Sequence, residues 1–373
     1  MHIPDGYLSP STCIVMAATA TPFWVVAIRK LRTALNARMV PLISLVSAFC
    51  FVVMMFNLPL PGGTTGHAVG MAIAAILLGP WVAVIAISMA LLLQALLFGD
   101  GGITAYPANC FNMAIVGSLA AYAIYRLISG KEPLKSPRRI FAAALAGYGA
   151  INLSALCAAV ELGIQPALFH DASGSPLYAP YPLSVSLPAM MAGHLTFAGV
   201  AELVISGGLL AYFQRADISL LRISAPGARD ASLPAPAIAL RPLWVGLAVL
   251  MLITPLGLLA TGEAWGEWDA QEFSNPEARQ VIAAASGHVQ PPVHAPEGLE
   301  KLSAIWTAPF PDYAPTFLKS KNLGYILSAM FGGGILIVIG LVLSRLFRLG
   351  EHAAVEISQA IAKLTNGTSR QMP

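Results

Sequence analysis

Charge is what this sequence has least of: 10% of its 373 residues are Asp, Glu, Lys or Arg, against about 25% in a soluble domain. That scarcity excludes a soluble enzyme. The four cysteines, Cys13, Cys50, Cys110 and Cys157, lie far apart with no CxxC spacing, so neither a thiolate metal site nor a disulfide framework is expected and they read as small packing residues. No GxxxxGK[ST] stretch occurs, which argues against nucleotide hydrolysis by this chain, and no HExxH, which argues against the commonest zinc-protease chemistry. No positive region precedes the first apolar run, so the start, Met1-His2-Ile3-Pro4-Asp5-Gly6, does not read as a signal peptide and is expected to persist. No internal repeat is evident.

What is present is hydrophobic sequence, 57% of the chain, at a mean hydropathy of +0.71. Apolar runs of about 20 residues are long enough to cross roughly 30 Å of hydrocarbon as helices. They fall at about 11–29, 39–56, 68–79, 81–98, 109–128, 139–162, 183–213, 242–260 and 322–346. The third is short and is parted from the fourth only by Gly79-Pro80, which fits two packed helices on a tight turn or one broken helix. Counted as two, they predict an all-α polytopic membrane protein. A seven-span core over 1–215 is followed by a Pro-, Ala- and Ser-rich linker at 216–241 and a two-span accessory module at 242–346, with a tail at 347–373. The module carries a segment, 261–321, that holds Trp265, Trp268 and Trp306 but too little apolar sequence for its own core. It is expected to lie on the membrane domain.

The net charge of +3 says little until it is divided by side. With the N-terminus outside, nine spans send 29–38, 126–139, 214–241 and 345–373 to the cytoplasm, and these segments hold 17 of the 21 basic residues. Only Arg279, Lys301, Lys319 and Lys321 remain, all at 261–321 or its edge. The same assignment puts Met1, the Leu58–His67 loop and the Gly99–Pro107 loop on one external face, and the C-terminus in the cytoplasm.

The first two residues can carry metal chemistry. A free α-amine, the amide nitrogen of residue 2 and the imidazole of His2 can close a five-membered and then a six-membered chelate ring on one ion, and such planar nitrogen sites suit Ni(II) or Cu(II), with Co(II) in a related site. An arbitrary N-terminal histidine is an ordinary solvated residue. A further ligand is suggested by Pro59-Leu60-Pro61-Gly62-Gly63-Thr64-Thr65-Gly66-His67, where glycines permit turns and prolines stiffen the entry, presenting His67 at the external end of the next helix. Loop histidines are usually just hydrated. The basic residues, which are independent of any metal, nevertheless place His2 and His67 on one side.

Met-His-Ile-Pro-Asp-Gly-Tyr-Leu-Ser-Pro (1–10), Pro-Gly-Gly-Thr-Thr-Gly-His (61–67), Leu-Leu-Gly-Pro-Trp (77–81) and Gln-Ala-Leu-Leu-Phe-Gly-Asp-Gly-Gly-Ile-Thr-Ala (94–105) resemble the CbiM/NikM family. Its members are the cobalt- or nickel-capturing substrate subunits of energy-coupling-factor transporters, the cobalt branch serving cobalamin biosynthesis. The resemblance covers about 1–215 and implies Met1, His2 and His67 as the metal ligands. It also implies a transmembrane coupling subunit and two ATPase subunits as partners, the bacterial plasma membrane as location, and Ni2+ or Co2+ as substrate with no cofactor. Pro-Glu-Gly-Leu-Glu (296–300) and Pro-Asp-Tyr-Ala-Pro (311–315) look like the accessory subunit of these systems fused in one chain, with Glu297 where the usual motif has Asp.

Weaker candidates surround these. Asn109 and Asn112 match a family Asn-x-x-Asn stretch and are candidates to orient the imidazoles, although capping or interhelical hydrogen bonds explain them equally. His194 and Glu202 lie inside the seventh span, where ionisable groups are functional candidates, and their i, i+8 spacing leaves them on roughly one face, in packing, gating or coupling roles. His288 and His294 read as exposed, Glu161 and His170 as loop or span-end residues, and His352 as part of the tail. An ion-coupled secondary transporter would need more mid-membrane ionisable groups than these. A membrane metalloenzyme would need a base and an open coordination position that four planar nitrogens leave little room for.

Overall fold

The computed structural model describes residues 1–34, 39–222, 225, 227–229, 240–315, 317–342 and 345. Arg38, the part of the expected linker at 223–224, 226 and 230–239, and the expected tail 347–373 with Arg348, His352, Lys363 and Arg370 lie outside the described residues. The core runs α1 (Pro10–Ala34), α2 (Met39–Met54), a hairpin of β1 (Leu58–Leu60) and β2 (Thr64–Gly66), α3 (Met71–Leu78), α4 (Pro80–Phe98), α5 (Tyr106–Ser129), α6 (Pro137–Leu168) and α7 (Leu183–Ala216). Then come α8 (Arg241–Leu259), the short α9 (Pro276–Ala285) and α10 (Glu297–Leu302), and α11 (Lys321–Val342).

Seven of these helices are long and apolar enough to cross a bilayer: α1, α4, α5, α6, α7, α8 and α11. Their outward faces carry large apolar side chains, such as Ile14 and Val15 on α1 and Phe197, Val200 and Val204 on α7. In water so much exposed hydrocarbon would be an association surface; a polytopic protein presents it to lipid. At 16 residues, α2 is shorter but almost wholly buried.

The third expected span is corrected in form. A helix of eight residues rises only about 12 Å, and every residue of α3 is buried, packed on α2, α4, α5 and α6. Gly79, at φ 78°, turns the chain and Pro80 opens α4, because a left-handed glycine ends one helix while proline fits the first turn of the next. Two helices on a tight turn are therefore observed, with the non-helical residues 67–70 leading from the hairpin into the first of them. Beside α3, α4 winds as a π-helix over Gln94–Phe98, α5 does so over Cys110–Val116 and α7 over His194–Ala198. Such windings concentrate at functional sites.

The C-terminal pair packs on α2. A Cβ added at Gly332 would lie 2.3 Å from the Phe51 ring and one at Gly340 1.7 Å from Ser44 Oγ, so these small residues of α11 let it approach α2 closely. All four cysteines are free and buried or half-buried, consistent with packing roles.

Residues 261–315 are folded onto one end of the core. Thr65 N donates to Glu263 O at 3.1 Å, Gly298 N to Leu177 O at 2.7 Å, and Phe310 N to Leu97 O at 2.9 Å. A Cβ at Gly6, whose φ is 89°, would stand 2.6 Å from Leu299 Cα, so the Pro-Glu-Gly-Leu-Glu stretch sits directly on the N-terminal segment. Glu297, the residue that departs from the usual motif, pairs with Lys301 on the exposed side and touches none of these contacts.

Candidate metal centre

The N-terminal residues, the hairpin and the 99–104 turn meet beneath that cap. Residues 1–5 lie along the turn through Gly102 N donating to Ile3 O at 2.9 Å. Asp5 accepts from Ile103 N at 3.0 Å and Thr104 N at 2.7 Å, and from the Thr104 hydroxyl. Asn109 closes the clamp: its Oδ1 accepts from Ile3 N at 2.8 Å and its Nδ2 donates to Ile3 O at 3.1 Å. A side-chain amide pairing with both main-chain groups of one residue fixes that residue like a strand partner, and here it is the residue after His2. Tyr7 OH donates to Trp268 O at 2.7 Å, fastening the segment to the cap.

His67 follows β2. Its Nδ1 lies 3.1 Å from Ala68 O, and a carbonyl can only accept, so Nδ1 carries the proton and Nε2 presents a lone pair. That Nε2 faces His2 Nδ1 at 3.3 Å. His2 Nδ1 also stands 2.8 Å from Asp100 Oδ1. One proton on His2 Nδ1 is thus flanked by two acceptors, while His2 Nε2 is buried without a hydrogen-bond partner. The Met1 amine is buried beside them, with Glu267 Oε1 at 3.5 Å.

Electrostatics keep the His67 imidazole in donor form. Burial, reinforced by the positive charge of the N-terminus, pushes the His67 imidazole well below its ordinary pKa, so it is neutral at pH 7. Burial alone would raise the Asp100 carboxyl, but His2, His67 and the Tyr313 hydroxyl outweigh it and hold it below the usual carboxylate range. Tyr313 OH donates to Asp100 Oδ2 at 2.5 Å, and Gln94 Nε2 reaches the same oxygen at 3.3 Å. Burial raises Glu267, against the pull of the terminal ammonium.

The other expected positions divide. Asn112 is corrected: its Nδ2 donates to Glu161 Oε2 at 2.8 Å, between α5 and α6, and it orients neither imidazole. Glu161 is buried in the last turn of the regular helix that ends at Gly163, the span-end position expected of it. His194 bonds through Nδ1 to Met190 O at 2.7 Å, leaves Nε2 without a partner, and lines a small pocket together with Met1. Glu202 is buried and accepts from Val69 N and Gly70 N just beyond His67. His170, His288 and His294 are exposed. Asp100, Glu267, Tyr313 and Gln94 escaped the sequence reading; Asp100 was in sight within Phe-Gly-Asp-Gly-Gly, a turn built of glycines around one acid.

Among the described residues no group of three or more His, Cys, Asp or Glu side chains has metal-holding geometry. The chain matches the family described as cobalt uptake substrate-specific transmembrane region over residues 2–220, and the PDGLE domain over 241–349. It belongs to the CbiM family. A fused nickel transport protein of Rhodobacter capsulatus is 55% identical over 344 residues, which cover 92% of this chain and 97% of that protein. A probable fused nickel transport protein of Lactiplantibacillus plantarum is 43% identical, covering 88% of this chain and 93% of its own length. The crystal structure of a transition metal transporter matches with 48% identity and a TM-score of 0.55, over 62% of this chain and all of that one. This CbiM-family chain is therefore a multi-span membrane protein of the nickel and cobalt transporters, with the PDGLE domain carrying the cap.

Proposed function

We propose that the chain captures Ni2+, with Co2+ as the second reading, through the Met1 amine, the His2 amide nitrogen, His2 Nδ1 and His67 Nε2. The observation that carries this is the 3.3 Å approach of His2 Nδ1 to His67 Nε2. Adjacent corners of a planar site with metal–nitrogen bonds of about 2 Å lie about 2.8 Å apart, so a small closure brings both rings onto one ion. Nδ1, the nitrogen facing His67, is also the one that closes the six-membered chelate ring from the His2 amide. A dication that displaces the amide proton leaves one net positive charge, which the ionised Asp100 beside His2 balances. Nickel is favoured because the relatives of Rhodobacter capsulatus and Lactiplantibacillus plantarum, each matching most of the chain, are named for nickel.

Capture is the task of a substrate-specific subunit in an ATP-driven importer of the energy-coupling-factor type. A transmembrane coupling subunit and two ATPase subunits move the ion onward. The basic residues support a plasma-membrane orientation with the site outside and the C-terminus in the cytoplasm. Glu202 and His194 are each engaged by main-chain groups, which disfavours an ion-coupled relay.

His2→Gln keeps the terminal amine and the residue-2 amide but removes the imidazole that closes the six-membered chelate ring. The purified untagged variant should lose nickel affinity by about 100-fold or more, beyond the 10–100-fold usual for a supporting group, and His67→Ala should lose a comparable amount. Wild-type affinity in either would remove that donor from the site. The reading requires a free amine on Met1, which N-terminal mass analysis reads directly. Uptake in cells that persists without the partner ATPases would sink the importer assignment.

A further inference from the structure

An ionisable side chain inside a membrane-spanning helix is costly and calls for a partner. Glu202 is fully buried in α7. Its Oε2 accepts from Val69 N at 2.8 Å and Gly70 N at 2.9 Å, two and three residues after His67 and at the start of α3. Gly70 sits at φ 82°, and a Cβ there would meet the Phe49 ring at 2.8 Å, so the backbone after His67 is pinned from two sides. At the other end of the same helix Gln214 Nε2 donates to Leu134 O at 2.7 Å and Ser136 O at 3.0 Å, in the turn between α5 and α6. Along its middle α7 lies close against α6, where a Cβ at Gly147 would fall 2.5 Å from Ser206 Oγ and 2.9 Å from Glu202 O. The π-helical stretch His194–Ala198 interrupts the regular ladder just before Glu202, leaving Gly199–Ala216 as one regular helix between its two anchors.

We infer that Glu202 is the positioning residue through which α7 sets the His67 imidazole, so that displacing the far end of α7 moves a metal donor. A helix transmits an axial shift nearly undiminished along its length, and two hydrogen bonds to consecutive amides give the loop little freedom to lag behind. Neutral capping of two amides needs only a hydroxyl or an amide side chain. Here both amides converge on the single oxygen Oε2, which ties the α3 terminus to α7 at one point, as a strut does. The inference rests on His67 being a donor.

The test titrates Ni2+ into the full-length untagged protein and follows both affinity and the ligand-field absorption of the bound ion. Glu202→Ala should weaken binding by about tenfold or more and shift the absorption band, because His67 no longer sits square to the ion. Glu202→Gln keeps one acceptor oxygen and should fall between. Two outcomes overturn the inference: well-folded Glu202→Ala and Glu202→Gln that bind with the wild-type affinity and band, or variants that lose thermal stability while the band stays in place. Should the alanine variant fail to fold, Glu202→Gln decides alone by the same two readouts. His67→Ala runs beside them: if it binds as the wild type does, the donor assignment itself has failed, whereas loss in His67→Ala with none at Glu202 rejects only the strut.

Discussion

The candidate site has two walls built on different principles. The core wall, made of residues 1–5, 67–70 and 99–104, is pinned at its main-chain groups, by the Gly102 N to Ile3 O bond and by the Asp5, Asn109 and Glu202 side chains, and Gly102 leaves no room there for a methyl group. The cap wall, from residues 263–313, reaches in with side chains: Glu267 to the Met1 amine and Tyr313 to Asp100. Main-chain geometry fixes donors to within tenths of an ångström, as a planar ion requires, while single side-chain contacts across an interface are individually weak and reversible. The core is thus suited to define the ion and the cap to govern how long the site stays closed.

Breaking the core wall should have the larger effect. A Cβ at Gly102 would lie 2.4 Å from Asp5 N and 2.7 Å from Pro4 C. Neither atom belongs to a flexible side chain, so the N-terminal segment must shift. Gly102→Ala should cost about 1–3 kcal/mol of stability, as overpacking does, and lower nickel affinity by about tenfold or more, measured by thermal unfolding and titration on one preparation. An unchanged affinity would show that the 99–104 turn does not position His2.

Tyr313→Phe tests the cap. It removes a hydrogen bond to a carboxylate, worth about 1.5–3 kcal/mol before the neighbours readjust, and Gln94 still reaches the same Asp100 oxygen. Dissociation of nickel should speed up by about three- to tenfold with a smaller change in equilibrium affinity, in a stopped-flow chelator chase. A loss as large as that of Gly102→Ala would abolish the distinction between the walls. Tyr313 and Asp312 both hold positive φ, 58° and 53°, an uncommon backbone for non-glycine residues that costs energy unless a contact fixes it. Phenylalanine at 313 keeps that strain and forfeits the contact.

These walls were unequally readable from sequence. Helices announce themselves because hydrocarbon must be about 20 residues long to cross a bilayer, and the placement of basic residues grouped Met1, the 58–67 loop and the 99–107 loop before any coordinates did. His2 and His67 stood out because short motifs surround them. Asp100, Glu267 and Tyr313 did not, since each acts across more than 95 residues of chain separation or through the cap, and nothing local distinguishes an acid that faces His2 from one that faces water. Asn112 misled for the complementary reason: three residues past Asn109 on a helix is a neighbouring position, yet its amide is taken up by Glu161 on α6.

The smallest expected effect separates the walls by pH. Glu263, whose carbonyl pairs with Thr65, has its carboxyl raised to about 7, first by burial and then by Glu267, Asp312, Glu272 and Asp269 around it. A carboxyl raised on folding favours the folded state when protonated, so its contribution is complete below its unfolded value and fades as pH climbs through about 7. His67 runs the other way, because a depressed imidazole costs stability as pH falls below its unfolded value. Comparing Glu263→Gln with the wild type cancels the His67 term. The two should unfold alike near pH 5, and the variant should gain about 1–2 °C by pH 8, with nickel affinity unchanged at either pH. A gain in stability that brought a change in affinity would mean that the cap's acids tune the donors themselves, and the division of labour between core and cap would have to be redrawn.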